Sequence, residues 1–380
     1  MSEAMVFHHP FPIVDNGRSG SQVRPYQMLQ AFRALGYDVE LVAGYAKERK
    51  QQANMVREQL SKGRKFSFVY SESTSMPTLL TEPNHFPITP KIDFGLFSTM
   101  KAAGIPIGLY YRDIHWKFEV YKKQVSWYKR IVAIQFYKYD WMMYKKTVDV
   151  LFVPSYSMAK VLPTSWSEER LGVLPPGCIV HNSTNHKLKT SDLHLFYVGG
   201  VMPPTYNLKP MIDLAKSEPN IHLTICCRIK EWEKVKEYYC IGDNARVSIV
   251  HASGDELAKF YEQADLFLLL WTPYSYLDFA VPVKLLESLG YGLPVLTTAG
   301  TEAARFVAAN NIGWVVNNVD EARHLLRWLR DNPAELVKKR RQVMQIREQH
   351  TWLERAKTAA KMLTSKLSVR QDNRDVWRGC

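Results

Sequence analysis

Short apolar runs recur along the chain, separated by longer polar or amphipathic stretches. They fall at residues 5–8, 39–43, 66–70, 105–110 and 148–154 in the first half, and at 193–198, 221–226, 247–250, 266–270, 293–297 and 313–316 in the second. They have strand length and are largely apolar throughout, the signature of strands buried on both faces of a parallel sheet. The stretches between them carry helical spacing. Tyr26, Leu29, Phe32 and Leu35 recur at helical intervals and stop at Gly36, and residues 207–216 predict another helix. Ser253 followed by Glu256 predicts a capping box and a helix start just after His251. This alternation predicts an α/β fold of doubly wound parallel sheets with helices on both faces.

The pattern breaks once. Residues 171–180, LGVLPPGCIV, read as a strand that Pro175, Pro176 and Gly177 cannot continue, and 181–191 are polar and poor in hydrophobes. An interdomain linker is expected there. A chain of 380 residues exceeds what one core holds and suits two domains. The expected division is 1–180, 181–350, and a terminal segment 351–380 whose helix opens at Trp352 and Leu353 and whose tail frays from Arg370.

A hydrophobic content of 46% and a charged content of 23% are those of a globular protein. Charge changes the picture: 50 Lys+Arg against 37 Asp+Glu leave +13, which predicts an anionic partner such as a membrane surface, a nucleic acid or a phosphorylated substrate. Cys178, Cys226, Cys227, Cys240 and Cys380 include no CxxC pair, so neither a disulfide framework nor a zinc site is expected, and the compartment reads as reducing. No basic region precedes a long apolar run at the N-terminus, and no apolar stretch approaches the ~20 residues of a membrane span. A cytoplasmic location without a signal peptide is the expectation.

Residues 279–296, FAVPVKLLESLGYGLPVL, carry chemistry as well as pattern. Pro282 suits the first position of a helix. Lys284 and Glu287, three apart, then share one face about a turn from the helix N-terminus, where amide groups and the macrodipole favour an anion. Gly290 and Gly292 close the helix, and 293–296 reads as a buried strand. By spacing alone, Lys284 and Glu287 also fit an ordinary exposed helix pair. With Pro282, Gly292, Pro294 and the preceding apolar strand, the stretch resembles the nucleotide-sugar signature of GT-B fold glycosyltransferases, glycosyltransferase family four and its relatives. That resemblance implies two Rossmann-like domains facing a cleft, with a C-terminal helix crossing back to the first domain. It implies a UDP- or GDP-linked sugar donor and neither bound metal nor other cofactor. Under it, Glu287 bonds the ribose hydroxyls and Lys284 reaches the diphosphate or the sugar. The chain departs from the family twice. The earlier glutamate, eight residues before Glu287, is Phe279 with Asp278 beside it, and the arginine that follows the strand-ending glycine is replaced by Gly200.

Arg228, after the strand 221–226, is a further candidate cation or a surface arginine. His251 stands where relatives hold the base, mainly through backbone groups. Tyr274, Tyr276 and Asp278 lie in the loop before the signature helix, where sugar and phosphates belong, although tyrosines there also fit packing. Gly17, Arg18 and Gly20 follow the first strand and either approach the ligand or form an ordinary βα turn. The run 110–116, YYRDIHW, directly follows a strand, and a carboxylate and an imidazole there are credible machinery for removing a proton from an acceptor hydroxyl. Asp113 is the expected general base if the enzyme inverts; His115 is an alternative base or, as retaining relatives use a histidine from this domain, a donor-sugar contact, and Arg112 is an expected substrate contact. Arg112 and Asp113 also fit a structural ion pair capping the next helix.

Residues 116–146 hold ten aromatics and eight Lys/Arg, with Glu119 and Asp140 as the sole acids. Phe118, Tyr121, Val125, Tyr128, Val132, Phe136, Tyr139 and Met143 form an apolar stripe at helical spacing, part of which is expected in the core. The surplus of Trp and Tyr beside lysines fits an interfacial helix, where each basic side chain near anionic lipid contributes about 1 kcal/mol. Together with the resemblance this implies an acceptor held at the membrane, a polyprenyl-diphosphate-linked sugar or glycolipid of bacterial polysaccharide or glycolipid synthesis. The protein would then sit peripherally on the inner face of the plasma membrane. Two other readings stand: a DNA-base glucosyltransferase, with +13 serving phosphate contacts, and a catalytically silent GT-B scaffold.

Overall fold

The computed structural model describes residues 2–378 except 16, 18, 183–191, 243–244 and 273–274. It divides into a first unit, Met1–Pro175 with Trp352–Cys380, and a second, Pro176–Thr351.

The first unit is built on β1 (Ala4–His9), β2 (Asp38–Ala43), β3 (Val69–Glu72), β4 (Ile107–Tyr110), β5 (Val150–Val153) and β6 (Leu171–Val173). All pairs are parallel, in the order β2-β1-β3-β4-β5-β6. Strand β3 begins later than the apolar run 66–70 predicts and takes in Ser71 and Glu72, both buried. Both have buried partners there: His8 bonds the Ser71 hydroxyl, and Arg24 donates to Glu72 Oε1. Gly108 and Gly172 flank Phe152 so closely that a Cβ would stand 2.7 and 2.6 Å from its ring. The terminal helix Trp352–Arg378 belongs to this unit, lying against the helix Gly20–Ala34 and bringing Leu363 beside Gly108 and Met362 beside Gly172. It stays helical through the stretch from Arg370 where a frayed tail is expected.

The expected interfacial helix is three pieces: a 3-10 turn His115–Lys117, a short helix Glu119–Gln124, and a long helix Trp127–Thr147. The long helix does not bury the predicted stripe, of which Tyr121 alone is fully buried; it turns Tyr137, Asp140, Trp141, Tyr144 and Thr147 inward instead. Polar anchors set that rotation. The Tyr137 hydroxyl donates to the Ser75 carbonyl at 2.5 Å, the Thr78 amide to Asp140 at 2.6 Å, and the Tyr144 and Thr78 hydroxyls meet at 2.9 Å. Among the described residues no helix is long and apolar enough to cross a membrane.

The second unit is built on β7 (Leu193–Val198), β8 (Ile221–Cys226), β9 (Val247–Val250), β10 (Leu266–Leu269), β11 (Val295–Thr298) and β12 (Gly313–Val316), parallel in the order β12-β11-β10-β7-β8-β9. Its first residues run with it: the Cys178 amide donates to the His350 carbonyl at 2.9 Å, so the division falls at Pro175 and not at the expected 180. The expected linker 181–191 lies almost wholly outside the described residues. The capping box of Ser253 and Glu256 is present and opens a 3-10 turn, Gly254–Leu257, that leads into the helix Ala258–Gln263.

Candidate functional site

In the second unit β7, first in chain order, lies between β8 and β10. The chain winds outward to β9 on one side and to β12 on the other, so the strand order reverses between β7 and β10, which pair in parallel. In open α/β sheets ligands bind beyond the carboxyl ends of the strands at such a switch point. The loops there are Gly199-Gly200 after β7 and residues 270–282 after β10. The Tyr197 hydroxyl donates to the Gly200 carbonyl at 2.6 Å; a Cβ on Gly199 would stand 2.8 Å from that hydroxyl oxygen, and one on Gly200 2.6 Å from the Tyr206 ring. The arginine absent from position 200 therefore has no room in this turn.

The helix Val283–Gly290 follows the segment after β10. Pro282 is its N-cap, one position before the expected place, with extended backbone at φ −67° and ψ 133°. Leu285, Leu286 and Leu289 are buried, which leaves Lys284 and Glu287 at the open edge, 25% and 23% exposed. Lys284 Nζ donates to Glu287 Oε2 at 2.6 Å, and the Tyr261 hydroxyl donates to the same oxygen at 3.1 Å. Among the described residues no hydrogen bond lands on Oε1. Tyr261 stacks on Tyr291 with centroids 4.6 Å apart, and Tyr291 in turn stacks on His181 at 3.9 Å. Burial first, and the Glu287 charge second, hold the Tyr261 hydroxyl well above the usual phenol range, so it remains a donor. Burial likewise pushes Tyr291 up to about 12 and lowers the His181 imidazole.

Other expected residues of this unit take lesser places. Phe279 is buried where relatives carry a glutamate, while Asp278 is exposed and its carbonyl accepts from Arg305. Tyr274 and the side chain of Tyr276 lie outside the described residues. Arg228 is the exposed N-cap of the helix Ile229–Tyr239 and pairs with Glu231 at 2.6 Å, a surface contact of little energetic weight. His251 donates from Nδ1 to the Cys227 carbonyl at 2.8 Å, which pins its ring at the carboxyl ends of β8 and β9.

In the first unit the first turn of the helix Gly20–Ala34 and the segment after β4 come together: Arg112 donates to the Ser21 carbonyl at 3.2 Å, and its amide donates to Ser73 Oγ, just after β3, at 3.1 Å. Arg112 is thus not the ion-pair partner of Asp113. Asp113 Oδ1 accepts the His115 amide at 2.9 Å, and Oδ2 lies 3.4 Å from His115 Nδ1. Gly17 leaves no space for a side chain, since a Cβ would meet that of Gln22 at 2.5 Å; Gly20 opens the helix Gly20–Ala34, and Arg18 lies outside the described residues.

Sequence patterning misses a buried polar network in this unit. His8 bonds Ser71 Oγ through Nδ1 and Asp93 through Nε2, both at 2.8 Å, and Arg49 clasps Asp93 at 2.8 and 3.1 Å. Serine, histidine and aspartate in contact suggest hydrolytic chemistry, but none of them is more than 2% exposed, so no substrate reaches them. They anchor the carboxyl ends of β1 and β3. Burial acts to raise the Asp93 carboxyl, yet His8 and Arg49 together bring it below the usual range. Burial lowers neighbouring His9 to about 3, against the opposing hydrogen bond to the Glu72 carbonyl. Two adjacent histidines in an otherwise apolar strand were the available signal.

Residues 208–361 match the glycosyl transferase-like family, a span that includes Tyr261, Lys284, Glu287 and Tyr291. A search of curated proteins finds no match. Among solved structures the chain is similar to WaaG, a glycosyltransferase involved in lipopolysaccharide biosynthesis, at 16% identity over 95% of this chain and 99% of that one, with a TM-score of 0.57. It is similar to Alr3699/HepE of Anabaena in complex with UDP, at 13% identity over 96% and 100% with a TM-score of 0.63. A glycosyltransferase from Rickettsia africae gives 12% identity over 97% and 99% with a TM-score of 0.62. At these identities the likeness is one of fold, and the fold is GT-B.

Proposed function

We propose that this GT-B chain, with a glycosyl transferase-like domain at residues 208–361, is a nucleotide-sugar glycosyltransferase. The observation that carries the reading is Glu287, partly exposed at the switch point of the second sheet, with Lys284 and Tyr261 both on Oε2 and Oε1 open to a ribose hydroxyl. Lys284, on the same helical turn, meets the diphosphate, and the amide groups at the helix N-terminus add to it. Binding then rests on protein cations and dipoles and survives chelation of divalent metal.

In the transfer, the acceptor oxygen bonds to the anomeric carbon while the bond from that carbon to the diphosphate oxygen breaks, and the nucleoside diphosphate leaves with the electron pair. Lys284 stabilises the charge that develops on the leaving oxygen. The acceptor proton passes to Asp113, whose position beside His115 suits a general base.

We infer further that the acceptor is held at an anionic membrane, on the cytoplasmic face. Trp127, Tyr128, Ile131 and Val132 are 53–67% exposed at i, i+1, i+4 and i+5, so they share one helix face, and Lys122, Lys123 and Lys129 are exposed near it. Aromatic and aliphatic side chains ringed by lysines fit the headgroup boundary better than open water. WaaG, of the same fold, is involved in lipopolysaccharide biosynthesis, which accords with a lipid-linked or glycan acceptor here.

The test is a thermal-shift screen of the full chain against nucleoside diphosphates and nucleotide sugars. UDP or GDP is expected to raise the melting temperature, by the linkage of ligand to the native state. Failure of every nucleoside diphosphate to do so favours the silent scaffold.

A further inference from the structure

Recognition of a ribose diol by one carboxylate depends on the plane of that carboxylate. A lysine three residues away on the same helix attracts Glu287 but does not orient it, because its ammonium is a point charge on a flexible stem. Tyr261 differs. Its ring is 1% exposed, stacked on Tyr291 at 4.6 Å with 9° between planes, and met edge-on by Phe196 at 5.0 Å. Its hydroxyl therefore has one position, 3.1 Å from Glu287 Oε2. The ring that fixes it, Tyr291, is the C-cap of the helix carrying Glu287. The helix thus supplies both the carboxylate and the wall that aims the donor at it.

We infer that Tyr261 is a positioning residue for Glu287, holding Oε2 so that Oε1 faces the ribose diol and giving the site a preference for ribo- over 2′-deoxyribonucleotides. This rests on the ribose-binding role proposed for Glu287. The conservative change Tyr261→Phe keeps the ring, its stack and its burial, and removes the hydroxyl alone.

The test uses the full chain and calorimetric affinities for UDP, GDP and their 2′-deoxy forms. The wild type is expected to bind the better ribonucleotide at least about tenfold more tightly than its deoxy form, as a charged hydrogen bond to a hydroxyl allows. Tyr261→Phe is expected to weaken ribonucleotide binding by about 3- to 10-fold, to leave the deoxy form unchanged, and so to collapse the ratio, with the melting temperature of the free protein little altered. Glu287→Ala should collapse the ratio fully, and the double variant should go no further, since the hydroxyl acts through the carboxylate. If Tyr261→Phe keeps the wild-type ratio, or weakens both forms equally, Tyr261 has no positioning role while the donor reading stands on Glu287→Ala. If Glu287→Ala keeps the ratio, or none of the four nucleotides binds, the donor reading fails and this inference with it.

Discussion

Gly290 sits against the backbone of Ile179: a Cβ at Gly290 would stand 2.0 Å from the Ile179 carbonyl oxygen. The segment that opens the second unit is thereby laid along the end of the helix carrying Lys284 and Glu287, and it is held there by the His181 amide on the Gly290 carbonyl at 3.0 Å. Arg347 donates to both carbonyls, of His181 and Gly290, at 3.0 Å. Gly290→Ala has no flexible side chain to push aside. It is expected to destabilise the second unit by about 1–3 kcal/mol or more, read as a lowered melting temperature, and an unchanged melt would refute the close approach.

Lys284→Ala separates phosphate from ribose. It is expected to weaken UDP or GDP binding by about 10- to 100-fold, the scale of a hydrogen bond to a charged group, and to leave the bare nucleoside nearly unaffected. Equal losses for nucleoside and diphosphate, measured by calorimetry, would place the lysine away from the phosphates.

Asp113→Asn should retain donor affinity and lose turnover. General base catalysis contributes about 10²- to 10⁴-fold, which is the expected drop in kcat for an inverting transfer. Full turnover in this variant, followed by release of nucleoside diphosphate in the presence of acceptor, shows that another group takes the proton.

Two buried groups predict opposite pH trends in stability. His9 is depressed from 6.5 to about 3, so between those values the unfolded chain binds the proton that the folded chain refuses, and stability falls as pH drops through that window. Asp140 is raised from 3.8 to about 7 by burial, so between those values the folded chain keeps a proton that the unfolded chain releases, and stability falls as pH rises. Relative to wild type, Asp140→Asn should gain stability from pH 4 to 7 and His9→Gln should gain it from pH 6.5 downward, each by on the order of several kcal/mol at the end of its window. Melting temperatures measured across that range check both signs; parallel curves for wild type and variants would refute them.

Trp127→Ser with Ile131→Ser should reduce binding to vesicles containing anionic lipid severalfold without lowering the melting temperature, because both side chains are more than half exposed. Duplex DNA in place of vesicles should compete weakly. Binding to DNA that the double change abolishes, with vesicles ignored, would favour the nucleic-acid reading.

Much of the fold was legible because it depends on neighbours in sequence. Apolar runs marked eleven of the strands, with 171–180 holding the remaining one, and the boundaries of β7, β8, β9 and β12 came out as read. Ser253 and Glu256 made the capping box their spacing implied, and Lys284 and Glu287 met at three residues on one helix. These relations need only the helical or strand period and local hydrogen bonds.

The errors share one cause. Hydrophobic periodicity reports which surfaces leave water, but a polar group enters the interior only where a distant segment brings a partner. The long helix Trp127–Thr147 turned to put Asp140 and Tyr144 against Thr78, more than sixty residues away, and β3 extended through Ser71 and Glu72 because His8 and Arg24 met them. Tyr261 is likewise 26 residues from the carboxylate it holds. Sequence by itself determined the alternation of strands and helices, the net charge of +13 and the Lys284–Glu287 pair. Tertiary structure alone decided which polar side chains those elements could bury and which oxygen of Glu287 Tyr261 and Lys284 share, because a desolvated hydrogen bond exists only once both partners are in place.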